Sequence, residues 1–331
     1  MNISRRILVC GVGSIGERHI KNLLTLGFKN IAVFRSRNLP LKNTEQPLQT
    51  FTDLSKALSE FRPDVVFITN PSSLHLKTAI LAAKTNCHVF IEKPLSHTLD
   101  GIEDLEKIIN ETNKIAMIGY MLRYHPLLLK LKNWVSAGSQ GPIGKVHYCR
   151  ICWGEYLPDW HPWEDYKESY ASRKELGGSP SLTLSHDLDI LVWLLGIPKV
   201  IKKLSGTQTE LKTDCPHMTD FLIQFENGCI ANAHLDYFQR PPHRSFELVG
   251  SKGKAIFDYY SGTLNLWTHG EGDSISTSPP TQETFLTPEN FDRNDLFMEE
   301  IRAFFDAIEN QSTGYPTIAD SKHVLKLAAD S

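Results

Sequence analysis

A short apolar run followed by three spaced glycines constrains the fold of this chain more than any other feature. Ile7–Cys10 is typical of a buried parallel strand, and glycines follow at positions 11, 13 and 16. The residues Glu17–Leu24 then have the character of a helix. This order predicts a dinucleotide site, in which the free N–H groups and the positive end of the helix dipole face the phosphates.

Each glycine has a distinct task in such a turn. Gly11 allows the tight turn, Gly13 leaves the backbone open to a pyrophosphate, and Gly16 lets the helix pack close to the strand. Spaced glycines also occur in turns that bind nothing, but the flanking strand and helix favour the ligand site. The predicted contacts in this loop are Gly11, Gly13, Ser14, Ile15 and Gly16.

Up to about residue 122, short apolar strands alternate with helical stretches. This alternation predicts a parallel sheet covered on both faces, with ligands bound at the carboxyl ends of the strands. The predicted strands after the first are Ile31–Phe34, Val65–Thr69, His88–Ile91 and Ile115–Ile118. Further candidates for cofactor binding lie after these strands, and they are Arg35, Ser36, Arg37, Asn70, Pro71, His75, Glu92 and Lys93.

After residue 122 the pattern changes to a helix at Pro126–Ala137 and then a series of strands that ends near Trp267. The hairpin signal Asn227-Gly228 joins two of them, so we predict a mostly antiparallel sheet with one open face. A polar segment, 268–293, is expected to form a loop or partial lid. The expected organisation is therefore a dinucleotide-binding α/β domain, 1–122, and an α+β domain for substrate binding and oligomerisation, 123–331. The last helix, about 318–331, is a candidate to pack back on the first domain.

Composition excludes several classes of protein. A net charge of −3 argues against a nucleic-acid or anionic-membrane partner, and no apolar run is long enough for a transmembrane helix. Cys149 and Cys152 form a single C-x-x-C with no second pair, so no metal site is predicted. The chain enters its first strand without a signal peptide, and the unpaired cysteines suit a reducing compartment, so a cytoplasmic location is expected.

The residues after the second strand bear on which dinucleotide binds. An NAD site usually places an acidic residue there to hold the ribose 2′-hydroxyl, and here the sequence is Arg35-Ser36-Arg37. Two guanidinium groups suit a 2′-phosphate, so NADP is favoured, with NAD as the other option. The alternative is a solvated basic loop.

Two residues are candidates for proton transfer. Lys93 follows a strand end, where burial would make it a usable proton-transfer group. His186 lies on a predicted helix and has an ordinary pKa near neutrality, with Asp189 three residues on to orient its ring. The alternatives are an exposed loop lysine and a core or surface histidine.

An aromatic loop, Trp160–Tyr166, is followed by several cations. Aromatic faces and cations bind a sugar or sugar phosphate, although packing at a domain interface is an equal alternative. The candidate substrate-binding residues are Tyr120, Arg123, His125, Trp163, Tyr170, Arg173, His186 and Asp189.

Three motifs in order resemble those of the Gfo/Idh/MocA oxidoreductase family. They are the glycine loop, Glu92-Lys93-Pro94 and the stretch from Gly177-Gly178 through Ser185-His186 to Asp189. Gly119–Pro126 resembles the segment that joins the family's two domains. The resemblance implies a Rossmann domain, an open sheet often used for oligomerisation, and hydride transfer between NAD(P) and a hydroxyl carbon of a sugar or polyol. It implies that Lys93 is the catalytic lysine and His186 the family's histidine. The strands after residue 200 have more apolar faces than one helix layer covers, so we predict a homodimer or homotetramer built on this sheet.

The residues Trp160–Glu175 resemble a branch associated with bacterial surface-sugar biosynthesis. One position departs from the family pattern, because Leu182 stands where an Asp is usual four residues before the histidine. This leaves a non-catalytic, dinucleotide-binding sensor as the alternative. Reduction of a tetrapyrrole or an imine is a third reading, disfavoured by the polar loop.

Overall fold

A computed structural model of the chain describes residues 1–36, 47–162, 165–208, 210–268 and 280–329. The chain divides into two compact units: unit 1 is Met1–Met121 with Arg293–Ala329, and unit 2 is Leu122–Asp292. The first boundary falls where the sequence pattern changes. No helix in the described ranges is both long and apolar enough to cross a membrane.

Unit 1 contains a parallel sheet, as the alternating pattern predicts. In the described ranges it has six strands in the order β3-β2-β1-β4-β5-β6. The strands are β1 (Ile7–Cys10), β2 (Ile31–Phe34), β3 (Gln49–Phe51), β4 (Val65–Ile68), β5 (His88–Glu92) and β6 (Ala116–Gly119). The predicted Rossmann arrangement is confirmed. Strand β3 was not predicted, because three residues that are mostly exposed carry no apolar pattern.

Helices connect these strands. They are α1 (Ser14–Thr25), α2 (Leu54–Lys56), α3 (Ser72–Lys84) and α4 (Ile102–Thr112). Asp53 caps α2 by accepting a hydrogen bond from the Lys56 N–H, and a π-helical turn, Ala57–Phe61, continues it. Helix α1 begins after Gly13 with no side-chain cap, so its first N–H groups remain available to a ligand.

Unit 2 is built on an eight-stranded sheet within the described residues, in the order β14-β13-β12-β11-β7-β10-β9-β8. The strands are β7 (Val146–Gly154), β8 (Pro198–Gly206), β9 (Met218–Phe225), β10 (Ile230–Asp236), β11 (His243–Gly250), β12 (Gly253–Asp258), β13 (Thr263–Thr268) and β14 (Thr281–Leu286). The pairs are antiparallel except for β7 with β10, which confirms a mostly antiparallel sheet.

The prediction of a loop over 268–293 is wrong for Thr281–Leu286, which forms β14 and pairs with β13. This strand is almost entirely exposed, so it lacks the apolar alternation that marks a strand in sequence. Residues 269–279 of the predicted loop lie outside the described residues, and 287–292 form no helix or strand.

In its described ranges, unit 2 has the α-helices α5 (Pro126–Ser136), α6 (Pro180–Thr183) and α7 (Ser185–Leu195), and short 3-10 turns besides. Almost every residue of α7 is buried, including His186, Asp187 and Asp189. The chain then returns to unit 1 through α8 (Arg293–Asn310) and α9 (Ile318–Ala328). The sequence did not indicate that α8 joins the first unit.

Helix α8 is anchored in the core of unit 1 by aromatic residues. The ring of Phe305 stacks on Phe28 at 4.5 Å between centroids, and Phe304 lies edge-on to Phe67 at 5.8 Å. These rings are fully buried. A buried aromatic side chain contributes about 1.5–3 kcal/mol through the area it removes from water, so α8 is an integral part of this unit.

Candidate functional site

The glycine loop lies at the carboxyl end of β1. Gly11 has a φ of +102°, and a Cβ there would lie 2.5 Å from the Asn70 nitrogen, so only glycine fits. A Cβ at Gly13 would meet no atom within 4 Å, so the space above that residue is open. The hydroxyl of Thr69 donates to the Gly11 carbonyl at 2.6 Å and holds the loop against the end of β4. Ser14 and Ile15 begin α1. An open backbone beside an uncapped helix N-terminus fits the pyrophosphate of a dinucleotide.

The next predicted contacts lie at the end of β4. Asn70 donates from its amide to the Thr78 hydroxyl at 3.0 Å, and Pro71 directly precedes α3. The ring of His75 is buried, with Nε2 2.7 Å from the Asn70 carbonyl and Nδ1 2.8 Å from the Pro94 carbonyl. Burial lowers the pKa of His75, and the two carbonyls act in the opposite direction. His75 therefore links the loop after β4 to the loop that carries Lys93.

The basic residues follow β2. Arg35 is partly exposed, its N–H donates to the Phe51 carbonyl at 3.0 Å, and Ser36 is exposed. Arg37 lies outside the described residues. In the described part of this turn, the side chains offered to a ribose are therefore a guanidinium and a hydroxyl, with no carboxylate.

Lys93 follows β5, whose neighbour in the sheet is β4. Its backbone N–H donates to Oε2 of Glu92 at 3.2 Å. Glu92 is buried, and its other oxygen lies 2.6 Å from Nε2 of His19 on α1. The sequence did not single out His19. The available signal was its position three residues after Gly16, which places both residues on the face of α1 that meets the sheet.

His186 is the second residue of α7 and is buried. Its ring centroid lies 6.5 Å from that of Trp153 on β7. The guanidinium carbon of Arg244 lies 3.7 Å from the centroid of the Trp153 ring, so Trp153 has one face against this cation. His186 therefore lies near β7, and the Trp153 ring that it approaches is covered by Arg244 of the neighbouring strand β11.

The two aspartates that follow His186 on α7 each form a buried ion pair with an arginine. Arg244 donates to both carboxylate oxygens of Asp187, at 3.2 Å from Nε and at a shorter contact from Nη2. Arg123 donates to both oxygens of Asp189, at 2.9 Å from Nε and 2.6 Å from Nη2. Arg244 was not predicted, since a lone arginine on a strand carries no sequence signal.

The remaining predicted substrate residues have different surroundings. His125 is buried among Phe257, Tyr259 and Phe291, and its Nδ1 accepts a 3.3 Å hydrogen bond from the Leu127 N–H at the start of α5. Burial, and then the charge of Arg244, lower the pKa of His125 to about 4. It is therefore a neutral helix cap.

Tyr120 directly follows β6 in unit 1 and is fully buried. Tyr170 and Arg173 lie on the partly exposed segment before α6, and Arg173 pairs with Glu175 at 2.6 Å. Trp163 lies outside the described residues. Of the predicted substrate residues in the described ranges, Tyr170 and Arg173 are thus the most accessible.

Leu182 lies on α6, which Ser179 caps by accepting a 3.2 Å hydrogen bond from the Leu182 N–H. The leucine is buried. A buried leucine at this position supplies neither a proton acceptor nor a hydrogen-bond partner for a hydroxyl.

A cavity of about 450 Å³ lies in unit 1 at the amino ends of the strands. Its lining includes Arg5, Arg6, Arg62 and Lys114. Helices α3 and α4 end at this edge, where cations are favoured by the negative end of the helix dipole. The cavity is at the opposite edge of the sheet from the glycine loop and is not the dinucleotide site.

Two family models match the chain. Residues 5–120 match an oxidoreductase family with an NAD-binding Rossmann fold, and residues 129–256 match the C-terminal domain of the same family. This chain belongs to the Gfo/Idh/MocA oxidoreductase family. The resemblance of the three motifs is therefore confirmed.

Several characterised proteins are similar over nearly the whole chain. A myo-inositol 2-dehydrogenase of Thermotoga maritima is 27% identical over 94% of this chain and 89% of its own length. The structure of the UDP-N-acetylglucosamine 3-dehydrogenase GnnA of Acidithiobacillus ferrooxidans has a TM-score of 0.76 at 21% identity, covering 98% of this chain and 96% of that one. Levoglucosan dehydrogenase in complex with NADH has a TM-score of 0.83 at 18% identity, covering 97% and 94%. The structural likenesses establish the fold.

Proposed function

We propose that this protein is an NAD(P)-dependent dehydrogenase or reductase that acts on a CH–OH group of a sugar, sugar phosphate or nucleotide sugar. The observation that carries the proposal is the placement of Lys93. It follows β5, next to β4 in the sheet that holds the glycine loop, so it lies at the edge where such sheets bind their ligands. The relatives named above are all dehydrogenases of polyhydroxylated compounds, which supports the substrate class.

For the cofactor, we propose NADP as the preferred form, with NAD as the alternative. Gly11–Gly16 would hold the pyrophosphate, and Arg35 with Ser36 would hold the 2′-phosphate, joined by Arg37. When bound, the nicotinamide accepts a hydride from the substrate carbon or returns it.

For the proton, we propose that Lys93 and His186 serve the substrate hydroxyl. The ammonium of Lys93 hydrogen-bonds the oxygen and stabilises the negative charge that develops on it as its proton leaves. His186 receives the hydroxyl proton, since an imidazole is able to exchange protons near neutral pH. The Glu92 carboxylate holds the backbone of Lys93, while the buried Asp187 and Asp189 pairs hold α7 and thereby His186.

For the substrate, we propose contacts from the exposed segment that carries Tyr170 and Arg173, together with Trp163. An aromatic face and a guanidinium suit a sugar ring bearing phosphate. Tyr120, Arg123, His125 and Asp189 complete the proposed set; among them, Arg123 and Asp189 are already paired with each other and act by fixing the local structure. A role in surface-sugar biosynthesis remains part of this proposal.

We further propose that the protein forms a homodimer or homotetramer through the open face of the unit 2 sheet and works in the cytoplasm. The cysteines in the described ranges are unpaired, which suits a reducing compartment.

The buried Leu182 favours a second candidate, a sensor that binds a dinucleotide without turning it over. The test is to mix the protein with NADP or NAD and a panel of inositols, sugar phosphates and UDP-sugars, and to follow the absorbance of reduced nicotinamide. The dehydrogenase proposal expects turnover with at least one member of the panel. Tight dinucleotide binding with no turnover on any of them would favour the sensor.

A further inference from the structure

Three titratable side chains from distant parts of the sequence meet in the core of unit 1. His19 comes from α1, Glu92 from the end of β5 and Glu300 from α8. One donor atom from each lies within 4.8 Å of the other two, and all three side chains are buried. The mechanism proposed above uses Glu92 only as a backbone acceptor and does not use His19 or Glu300.

The cluster is surrounded by aromatic rings. The rings of Phe90, Phe67 and Phe297 lie 5.2, 5.5 and 6.0 Å from the His19 ring. Such surroundings offer little solvation to a charge, so each ionised group needs a partner of its own. The titratable groups that face Glu300 are Glu92 from β5 and His19 from α1, and Arg18 of α1 lies over the ring of Phe297 at 4.7 Å.

The donor set, one imidazole and two carboxylates, is chemically acceptable to a divalent metal. The geometry argues against that use. Nε2 of His19 and Oε1 of Glu92 are 2.6 Å apart, which is a direct hydrogen bond between two potential ligand atoms. A metal would have to break this contact.

The two carboxyl groups differ in their partners. Glu92 has the His19 ring on one oxygen and the Lys93 N–H on the other. Among the described residues, neither carboxyl oxygen of Glu300 has a hydrogen-bond partner. Burial raises the pKa of Glu300 well above its ordinary value, and the charge of Glu92 raises it further. Two like charges at this separation cannot both be accommodated in an apolar core, so the proton belongs on Glu300.

We propose that Glu300 is a positioning residue that stays protonated in the folded protein and keeps the Glu92 carboxylate paired with His19 and with the backbone of Lys93. A neutral Glu300 does not repel the Glu92 carboxylate, whereas an ionised one would. Helix α8, some 200 positions later in the chain, thereby helps to hold the backbone of Lys93 in place. The kinetic part of this inference rests on the role proposed for Lys93.

The protonated state has a consequence for stability. The carboxyl keeps its proton in the folded chain above the pH at which it ionises in the unfolded chain. The stabilising contribution of Glu300 is therefore complete below its unfolded pKa of about 4.3 and decreases as the pH rises toward the folded value. Glu300→Gln removes this dependence, because an amide is neutral at every pH.

The first experiment compares the wild type with Glu300→Gln and with Glu299→Gln, a matched control at an exposed position of the same helix. Infrared spectra at pH 7 should show the carbonyl stretch of a protonated carboxyl in the wild type and the control, and lose it in Glu300→Gln. The thermal midpoint of Glu300→Gln relative to the wild type should rise between pH 5 and pH 8, while that of the control stays flat. An unchanged band, or a flat difference for Glu300→Gln, would overturn the proposal, as would a stoichiometric metal in the purified protein.

The second experiment tests whether Glu300 positions Lys93 for catalysis. Glu300→Ala should lower kcat roughly tenfold and leave the KM for the dinucleotide unchanged, and Glu300→Gln should restore most of the loss. Equal kcat in Glu300→Ala and the wild type would exclude a positioning role. The infrared and unfolding results do not depend on turnover, so they still decide the protonation state if Lys93 proves to have no catalytic role.

Discussion

Arg123 and Asp189 form a two-point ion pair in which both side chains are buried, with N–O distances of 2.9 and 2.6 Å. Asp189 is the residue that the sequence suggested as the orienting partner of His186. Its carboxylate is instead engaged by Arg123, the second residue of unit 2, which lies three residues before the start of α5. The pair ties α7 to the segment before α5, so Asp189 contributes to the position of His186 through the helix.

Removing one member of this pair should lower the stability of the folded protein. Arg123→Ala leaves Asp189 buried without its cation, and such changes typically lower the free energy of unfolding by about 3–5 kcal/mol. Urea unfolding measures this loss. Arg302→Ala, which removes an exposed pair with Glu299, is the control and should change stability little. If the two variants lose the same stability, the buried pair does not have the structural role assigned to it.

The proposed preference for NADP over NAD depends on Arg35. A hydrogen bond to a charged group contributes about 1.5–3 kcal/mol, so Arg35→Ala should weaken NADP binding roughly tenfold or more and leave NAD binding unchanged. Titration calorimetry with both dinucleotides gives the two dissociation constants. Equal affinities for NADP and NAD in the wild type would rule out the proposed preference.

The open face of the unit 2 sheet carries exposed apolar side chains on β8, β9 and β10. They are Val200, Leu204, Leu222 and Ile230. Apolar side chains exposed on one face of a sheet are typical of an interface. Leu222→Glu should therefore dissociate the oligomer, whereas Leu81→Glu, at an exposed position of α3, should not. Light scattering measures the mass, and a monomeric wild type at micromolar concentration would contradict the proposal.

The two carboxylates around His234 on β10 should make the stability of the protein depend on pH. Its ring nitrogens each lie 3.0 Å from a carboxylate, Asp236 on one side and Asp220 on the other. The hydrogen bond with Asp236, opposed by burial and reinforced by Asp220, raises the pKa of His234 to about 9. The stabilisation is thus complete below the ordinary pKa of about 6.5 and is lost as the pH rises through about 9.

Thermal unfolding of the wild type and of His234→Gln across pH 6 to pH 10 tests this dependence. The wild type should be the more stable at pH 6, and the difference should shrink between pH 6.5 and pH 9. A difference that does not vary with pH would mean that the ring is not held charged by the two aspartates.

Most of the fold could be predicted because its signals are local. The glycines of the first turn, the apolar runs of β1, β4 and β5, and the hairpin at Asn227-Gly228 each depend on neighbours in sequence. Strands β3 and β14 were not predicted, because both are largely exposed and lack an apolar pattern. The return of α8 to unit 1 depends on contacts such as that of Phe305 with Phe28, which no local pattern encodes.

For the candidate site, the sequence indicated the residues that stand in motifs but not the side chains that support them. Lys93 and His186 stand in motifs, whereas the side chains that hold them do not. His19, Arg244 and Glu300 are single residues in ordinary helices or strands, and their importance arises only when distant segments are brought together. The sequence also grouped Glu92 with the cofactor contacts, and the structure shows its carboxylate engaged with His19 and the Lys93 N–H.

Lys93 and His186 are proposed to carry the proton transfer of an active dehydrogenase. The most direct measurement is the single-turnover rate of Lys93→Ala and His186→Ala with a substrate found in the panel, alongside dinucleotide binding by fluorescence. Each variant should bind the dinucleotide as the wild type does and turn over roughly a hundredfold or more slowly. Wild-type rates in both variants would show that neither residue takes part in the proton transfer.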